Sequence, residues 1–148
     1  HSILADTKLP AQYLEIEITE SVALHNLPLA QETILKLKQS GIKVAMDDFG
    51  TGFSSPGILK HLSVNRLKID RSFVNGLPHS DFDVAVIKSI LIVAQSIDMQ
   101  VIAEGIENIE QLQYLEKLGC HQGQGYWYAK PLPLNELKAV LQGLQAQS

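Results

Sequence analysis

This sequence predicts an α/β fold made of about five strand–helix units of a TIM (β/α)8-type barrel. Three observations carry that prediction. Short apolar or alternating runs of strand length recur between stretches of helical periodicity. The connections between them are short, which implies parallel strands joined by right-handed crossovers. Finally, the polar markers Glu17, Asp47, Lys68, Glu104 and Gln124 recur about every 27 residues, near the roughly 31 per unit of a 250-residue barrel. Five units are too few to close eight strands, so the barrel is expected to be partial. An open doubly wound sheet is the rival, but a glycine-rich phosphate fingerprint would usually follow its first strand. Thr19-Glu-Ser-Val22 is nothing of that kind.

Residues 1–12 hold no clear strand. Residues 14–19 alternate strictly, with Leu14, Ile16 and Ile18 on one face and Glu15 and Glu17 on the other. Pro28 near a helix start, with apolar Ile34, Leu35 and Leu37, marks a helix of about three turns that Gly41 stops. Residues 43–48 read as a buried second strand, with Val44 and Met46 on one face and Ala45 and Asp47 on the other. Pro56 can open a short helix through Leu62. Residues 66–70 form a third strand, with Leu67 and Ile69 opposite Arg66, Lys68 and Asp70. A long core helix, capped by Asp81 or Asp83, ends near Asp98. Residues 100–104 form the fourth strand, and an amphipathic helix over 107–118 ends at Gly119. Residues 124–128 are a fifth, shorter strand, and a last helix runs from Leu134 to about Leu144.

Composition narrows the class. The 148 residues fit one domain or less, and 45% hydrophobic content suits a globular chain with a substantial core. A net charge of −4 leaves no footprint for sequence-independent binding to DNA or RNA backbones. The single cysteine, Cys120, excludes an internal disulfide and suits a reducing, cytoplasmic setting. No 18-residue apolar run suggests a membrane span, and no leader of the signal-peptide kind is visible. The five histidines show no metal-ligand spacing.

The chemistry lies at the strand ends. Adjacent Asp47 and Asp48 repel each other unless a cation, a proton or hydrogen-bond donors intervene. Gly50 and Gly52 follow at once in a turn. In a barrel the carboxyl ends of the strands converge on one mouth, so Glu17, Asp47, Asp48, Lys68, Asp70 and Glu104 would meet there. Gln124 fits less cleanly, at the start of the last expected strand. Buried carboxylates must then share a cation or pair with Lys68. Oxygen-only ligands favour Mg²⁺ or Mn²⁺ over zinc. Each residue also has a plainer reading. Asp48 could cap a turn beside a solvated Asp47, a lone glutamate could cap a helix, Lys68 could pair with Asp70, and Gln124 could satisfy backbone groups.

Five ordered motifs then carry a resemblance. Glu17-Ile-Thr-Glu-Ser21, Asp47-Asp-Phe-Gly-Thr-Gly-Phe-Ser-Ser55, Leu67-Lys-Ile-Asp-Arg-Ser-Phe-Val74 and Val101-Ile-Ala-Glu-Gly-Ile-Glu107 come first, and Gln124-Gly-Tyr126 follows with Lys130-Pro-Leu-Pro133. Together they resemble the EAL domain family, bacterial phosphodiesterases that cut cyclic di-GMP to linear pGpG. The resemblance implies that residues 1–148 are the carboxyl-terminal portion of one such domain. It implies metal ligation by Glu17, Asp47 and Asp48, with Asp48 bridging to or binding a second ion. Lys68 would orient or help deprotonate the attacking water, and Glu104 would stand at the metal-water site. Glu20 would steady the loop after Gly50, and Asp70, Glu107 and Gln124 would support the site or the substrate.

Two departures accompany the match. The family's namesake Glu-Ala-Leu triplet, the arginine after it and an asparagine ligand are expected upstream of Leu14, and none is present in this sequence. The chain alone is therefore expected to be inactive or nearly so, with the missing ligands supplied by a parent protein. Pro56 also stands where a leucine is common. A partial barrel would leave the first strand with an unpaired edge, so self-association or pairing with the missing half is expected. A degenerate EAL module that binds cyclic di-GMP or a protein partner without hydrolysis is the alternative function. An unrelated half-barrel enzyme acting on phosphate-bearing small molecules is a third.

Overall fold

Five parallel strands, hydrogen-bonded in chain order, carry everything else in the molecule. The computed structural model describes residues 2–52 and 56–145. A short helix α1 (Ser2–Thr7) and a 3-10 turn (Ala11–Tyr13) lead into β1 (Glu15–Thr19). Two helices follow, α2 (Glu20–His25) and α3 (Leu27–Gln39), before β2 (Lys43–Phe49). A 3-10 turn (Pro56–Lys60), β3 (Arg66–Ile69), α4 (Arg71–Asn75) and α5 (Asp81–Ser96) come next. The chain continues through β4 (Gln100–Glu104), α6 (Ile109–Lys117), β5 (Gly123–Gln124) and α7 (Leu134–Gln145). Every neighbouring strand pair is parallel, as strand–helix alternation requires. The architecture is the expected part-barrel of five units.

Strand alternation divides the sheet into two chemically different faces. Val44, Met46, Leu67, Ile69 and Ala103 are buried on the face covered by helices. There they join Ile34 of α3 and Ile87, Ile90 and Ala94 of α5 in one core. Each fully buried aliphatic side chain of that kind contributes about 1.5–3 kcal/mol relative to an exposed one. On the other face the register aligns Glu17 with Ala45, Ala45 with Arg66, and Arg66 with Gln100. Polar side chains dominate this face, which is the inner wall of the partial barrel.

Helix starts follow local chemistry. The Asn26 side chain accepts from the Leu29 amide at 3.2 Å and caps α3, with Pro28 in its first turn. Asn108 and Gln111 form a reciprocal capping box that starts α6 at Ile109, two residues later than expected. The cap of α5 is Ser80, whose hydroxyl accepts from the Asp83 amide. Asp81 and Asp83 instead stand in the first turn, where negative charge suits the helix dipole. The expected fifth strand over 124–128 is also corrected. Only Gly123 and Gln124 pair with β4, because the Tyr128 and Trp127 amides turn back onto the Gly125 and Ile106 carbonyls. Gln124 therefore ends its strand, as Glu104 ends β4. Helices α2 and α4 were not anticipated.

Among the described residues β1 pairs on one side only, with β2. No described helix is long and apolar enough to cross a membrane.

Candidate active site

Lys68 is the centre of the polar face. It lies between buried Leu67 and Ile69, so alternation turns its side chain the opposite way, into the barrel interior. Its Nζ is 2.7 Å from Glu17 Oε1, 2.7 Å from Glu104 Oε1 and 3.2 Å from Asp47 Oδ1. Four strands thereby contribute one side chain each, from residues far apart in the chain. An ammonium has three protons, and three carboxylates receive them. Burial alone would lower the Lys68 pKa, but hydrogen bonds to Glu104, Glu17 and Asp47 outweigh it and hold the ammonium charged above its ordinary range. The plainer pairing with Asp70 is not the one formed.

Three carboxylates around one ammonium leave an excess of negative charge. Burial pushes the Glu104 carboxyl above the usual range despite Lys68, and the charges of Asp47 and Glu17 add to that push. Burial likewise raises Asp48, with further contributions from Asp47 and Asp70. Asp48 also has a left-handed backbone, φ +55, at the point where the β2–β3 register shifts between Met46 and Phe49. Such an irregularity re-aims side chains beside functional sites. It lets two consecutive aspartates both serve the mouth, whereas a regular strand would send them to opposite faces.

The other expected residues take distinct places. Asp70 caps α4 by accepting from the Ser72 amide at 2.9 Å. Burial would raise its pKa, but hydrogen bonds from Ser72 and the Arg71 amide, with the Arg71 charge, bring it below normal. Asp48, Asp70, Glu104, Glu107, Gln124 and Arg71 line a cleft of about 350 Å³ at the mouth. Glu20 is away from Lys68 and buried at 2% exposure. Its Oε2 accepts from the Gly50 amide at 2.9 Å, and a Cβ on Gly52 would lie 2.5 Å from its Oε1. Glycine at 52 is what allows the loop to approach that carboxylate. Residues 53–55, the end of the same loop, lie outside the described residues, and so does the Pro56 side chain.

The polar face has a second cluster that the sequence reading missed. One layer below Lys68, Arg66 Nη1 donates to Glu15 Oε1 at 2.9 Å and Nη2 donates to Gln100 Oε1 at 3.1 Å. The alternation that placed Arg66 opposite Leu67 was the available signal: Arg66 and Gln100 are register partners, and Glu15 lies on the same face of β1 two residues before Glu17, the residue level with them. Arg71 was also passed over, although it follows Asp70 directly at the strand end.

The donor set is hard oxygen throughout, which suits Mg²⁺ or Mn²⁺. Among the described residues, no three His, Cys, Asp or Glu side chains are grouped to hold a metal ion unaided. Glu17, Asp47 and Glu104 converge instead on the ammonium. The donors thus fit a divalent cation in charge and chemistry, while a full coordination shell needs further ligands.

Comparison with known proteins gives a consistent answer. The EAL domain family model matches residues 1–131. The cyclic di-GMP phosphodiesterase NbdA of Pseudomonas aeruginosa is 37% identical over 138 residues, covering 93% of this chain and 18% of that protein. Among solved structures, the PaMucR phosphodiesterase in complex with c-di-GMP superposes with a TM-score of 0.88 at 34% identity, over 92% of this chain and 55% of that one. Klebsiella pneumoniae BlrP1, solved with manganese and cyclic di-GMP, gives 0.79 at 26% identity over 84% of this chain and 32% of its own. This chain therefore spans about a fifth of that curated relative and about a third to a half of those structures.

Proposed function

The chain belongs to the EAL domain family, and from that premise we propose that it is the carboxyl-terminal part of a domain that hydrolyses cyclic di-GMP to linear pGpG. The observation that carries the reading is the convergence of Glu17, Asp47 and Glu104 on Lys68. Glu17, Asp47 and Asp48 would hold Mg²⁺ or Mn²⁺, whose charge would offset the burial and the neighbouring Asp47 and Asp70 charges that raise Asp48. A divalent cation supplies charge stabilisation for in-line attack on a phosphodiester and lowers the pKa of the attacking water.

The chain's own groups would do the rest. Lys68, held charged, would orient the nucleophile with an N–H released from one of its three carboxylates. It cannot accept a proton in that state. Glu104 stands 2.7 Å from Lys68 with its carboxyl held above the usual range, so it is the better proton acceptor of the two. Glu107 and Gln124 flank the reacting phosphate from the β4 and β5 ends of the cleft, and Glu20 holds the Gly50 turn beside Asp48. Binding of cyclic di-GMP without hydrolysis is the second reading, favoured by the way Lys68 already engages three of the carboxylates.

This sequence contains no Glu-Ala-Leu triplet, so the chain by itself should turn over cyclic di-GMP poorly, if at all. The complete parent, placed in the cytoplasm, should be active. The unpaired side of β1, next to a groove bordered by Ile18, Val22 and Leu29, would take a second copy or the rest of the barrel. Light scattering should find the isolated chain associated, and a compact monomer would contradict that. For the chemistry, Asp47→Asn in the complete parent should abolish pGpG formation, and unchanged turnover would remove the assignment.

A further inference from the structure

The mouth presents a substrate with an electrostatic problem. Asp48, Asp70, Glu104 and Glu107 all line the cleft, and the Lys68 ammonium is already engaged by Glu104 together with Glu17 and Asp47. A cyclic dinucleotide carries two phosphodiester charges, and cations at the strand ends can serve the one being cut. The other needs a cation of its own.

Arg71 is the one cation among the residues lining the cleft. It is exposed, and among the described residues its guanidinium makes no hydrogen bond or ion pair. Its root is nevertheless fixed. Arg71 is the first residue of α4, directly after the capping Asp70. The loop after β4 closes on it through Gly105, whose φ is +71 and whose Cβ, were there one, would lie 2.5 Å from Arg71 Cβ. A side chain at 105 would push the arginine stem out of this place. The guanidinium is thus an exposed head on an anchored stem, three residues beyond Lys68 and on the order of 10 Å farther along the chain. Its planar fork matches two phosphate oxygens better than any lysine could.

We propose that Arg71 is a positioning residue that binds the phosphate not being cleaved, turning the ring so that the scissile phosphate faces Asp47 and Lys68. The inference rests on the phosphodiesterase reading. A non-scissile phosphate contact lowers KM without contributing to the chemical step, because it is the same in ground and transition states.

The test uses the complete parent protein, with wild-type turnover of cyclic di-GMP measured first. Arg71→Ala should raise KM by about 10- to 100-fold while kcat changes less than about threefold. Arg71→Lys should recover part of the loss, and the salt dependence of KM should be shallower in the alanine variant. If Arg71→Ala lowers the melting temperature, Arg71→Gln, which keeps size and polarity, carries the comparison. An unchanged KM in Arg71→Gln, or a loss confined to kcat, overturns the role of Arg71 and leaves the phosphodiesterase reading standing. Absence of wild-type turnover overturns both.

Discussion

Lys68 and Arg66 sit two residues apart on the same face of the same strand, yet they are opposite kinds of cluster. Arg66 meets one carboxylate and one amide, Glu15 and Gln100, so its charge is matched one to one. Lys68 meets three carboxylates, with Asp48 and Asp70 near at hand. The lower cluster is electrically closed, and the upper one carries surplus negative charge at the open end. Burial follows the same order, with 7% of the Lys68 side chain exposed and 22% of Arg66. Charge-balanced pairs of this kind join strands together, even though the Arg66 Nε is buried without a hydrogen-bond partner among the described residues. A charge-unbalanced group is tolerated where a cation or substrate can complete it.

The largest effect should come from breaking the upper cluster. Lys68→Met in the complete parent removes the oriented ammonium and leaves three carboxylates facing one another. Turnover should fall by at least about 10²-fold, and metal-free stability should drop by about 3–5 kcal/mol in denaturant titrations. Arg66→Met should cost less, about 1–3 kcal/mol, and kcat should stay within about threefold of wild type. Equal kinetic damage from both substitutions would erase the distinction drawn between the layers.

Glu20 tests whether the upper cluster depends on the loop beside it. Glu20→Ala removes a buried acceptor from the Gly50 amide, and the loss should be about 1–3 kcal/mol. Activity should fall with it, because the Gly50 turn holds Asp48. Activity equal to wild type would separate the loop from the chemistry.

The smallest expected effect concerns charge alone. Asp48 and Glu104 have raised carboxyl pKa values in the fold. A carboxyl raised on folding favours the folded state when protonated, so its contribution declines as pH rises through the range just above 3.8 to 4.5. Asp70 is lowered from 3.8 and works the other way, its contribution fading as pH falls below that value. Asp48→Asn should therefore raise the metal-free melting temperature slightly and flatten its decline as pH rises above the ordinary aspartate range. Added Mn²⁺ should raise the wild-type midpoint more than the variant's. A larger shift in the variant would place the cation elsewhere.

Much of this was legible before any coordinates, and the parts that were not share physical causes. Alternation in residues 14–19 and 66–70 exposed the strands, because one face is apolar and the other is not. Helices α2 and α4 were missed because six and five residues are too few for a 3.6-residue period to show. The fifth strand is shorter than residues 124–128 suggest, because tyrosine and tryptophan favour strands and here a turn overrides that preference. The strand-end carboxylates were visible one by one, and parallel topology predicted that they would meet. That Lys68 would engage Glu17, Asp47 and Glu104 together depends on register. The shift that re-aims Asp48 depends on a backbone irregularity with no composition signal. The Arg66 cluster lies in the layer beneath the strand ends, and its pairing with Glu15 rather than the register-level Glu17 depends on side-chain reach, which alternation does not show.

The direct measurement of the central claim is pGpG formation from cyclic di-GMP by the complete parent protein, assayed with Mg²⁺ or Mn²⁺ and again after chelation. Turnover should require the metal and disappear in Lys68→Met. Turnover that persists without metal, or that Lys68→Met leaves intact, would contradict that claim.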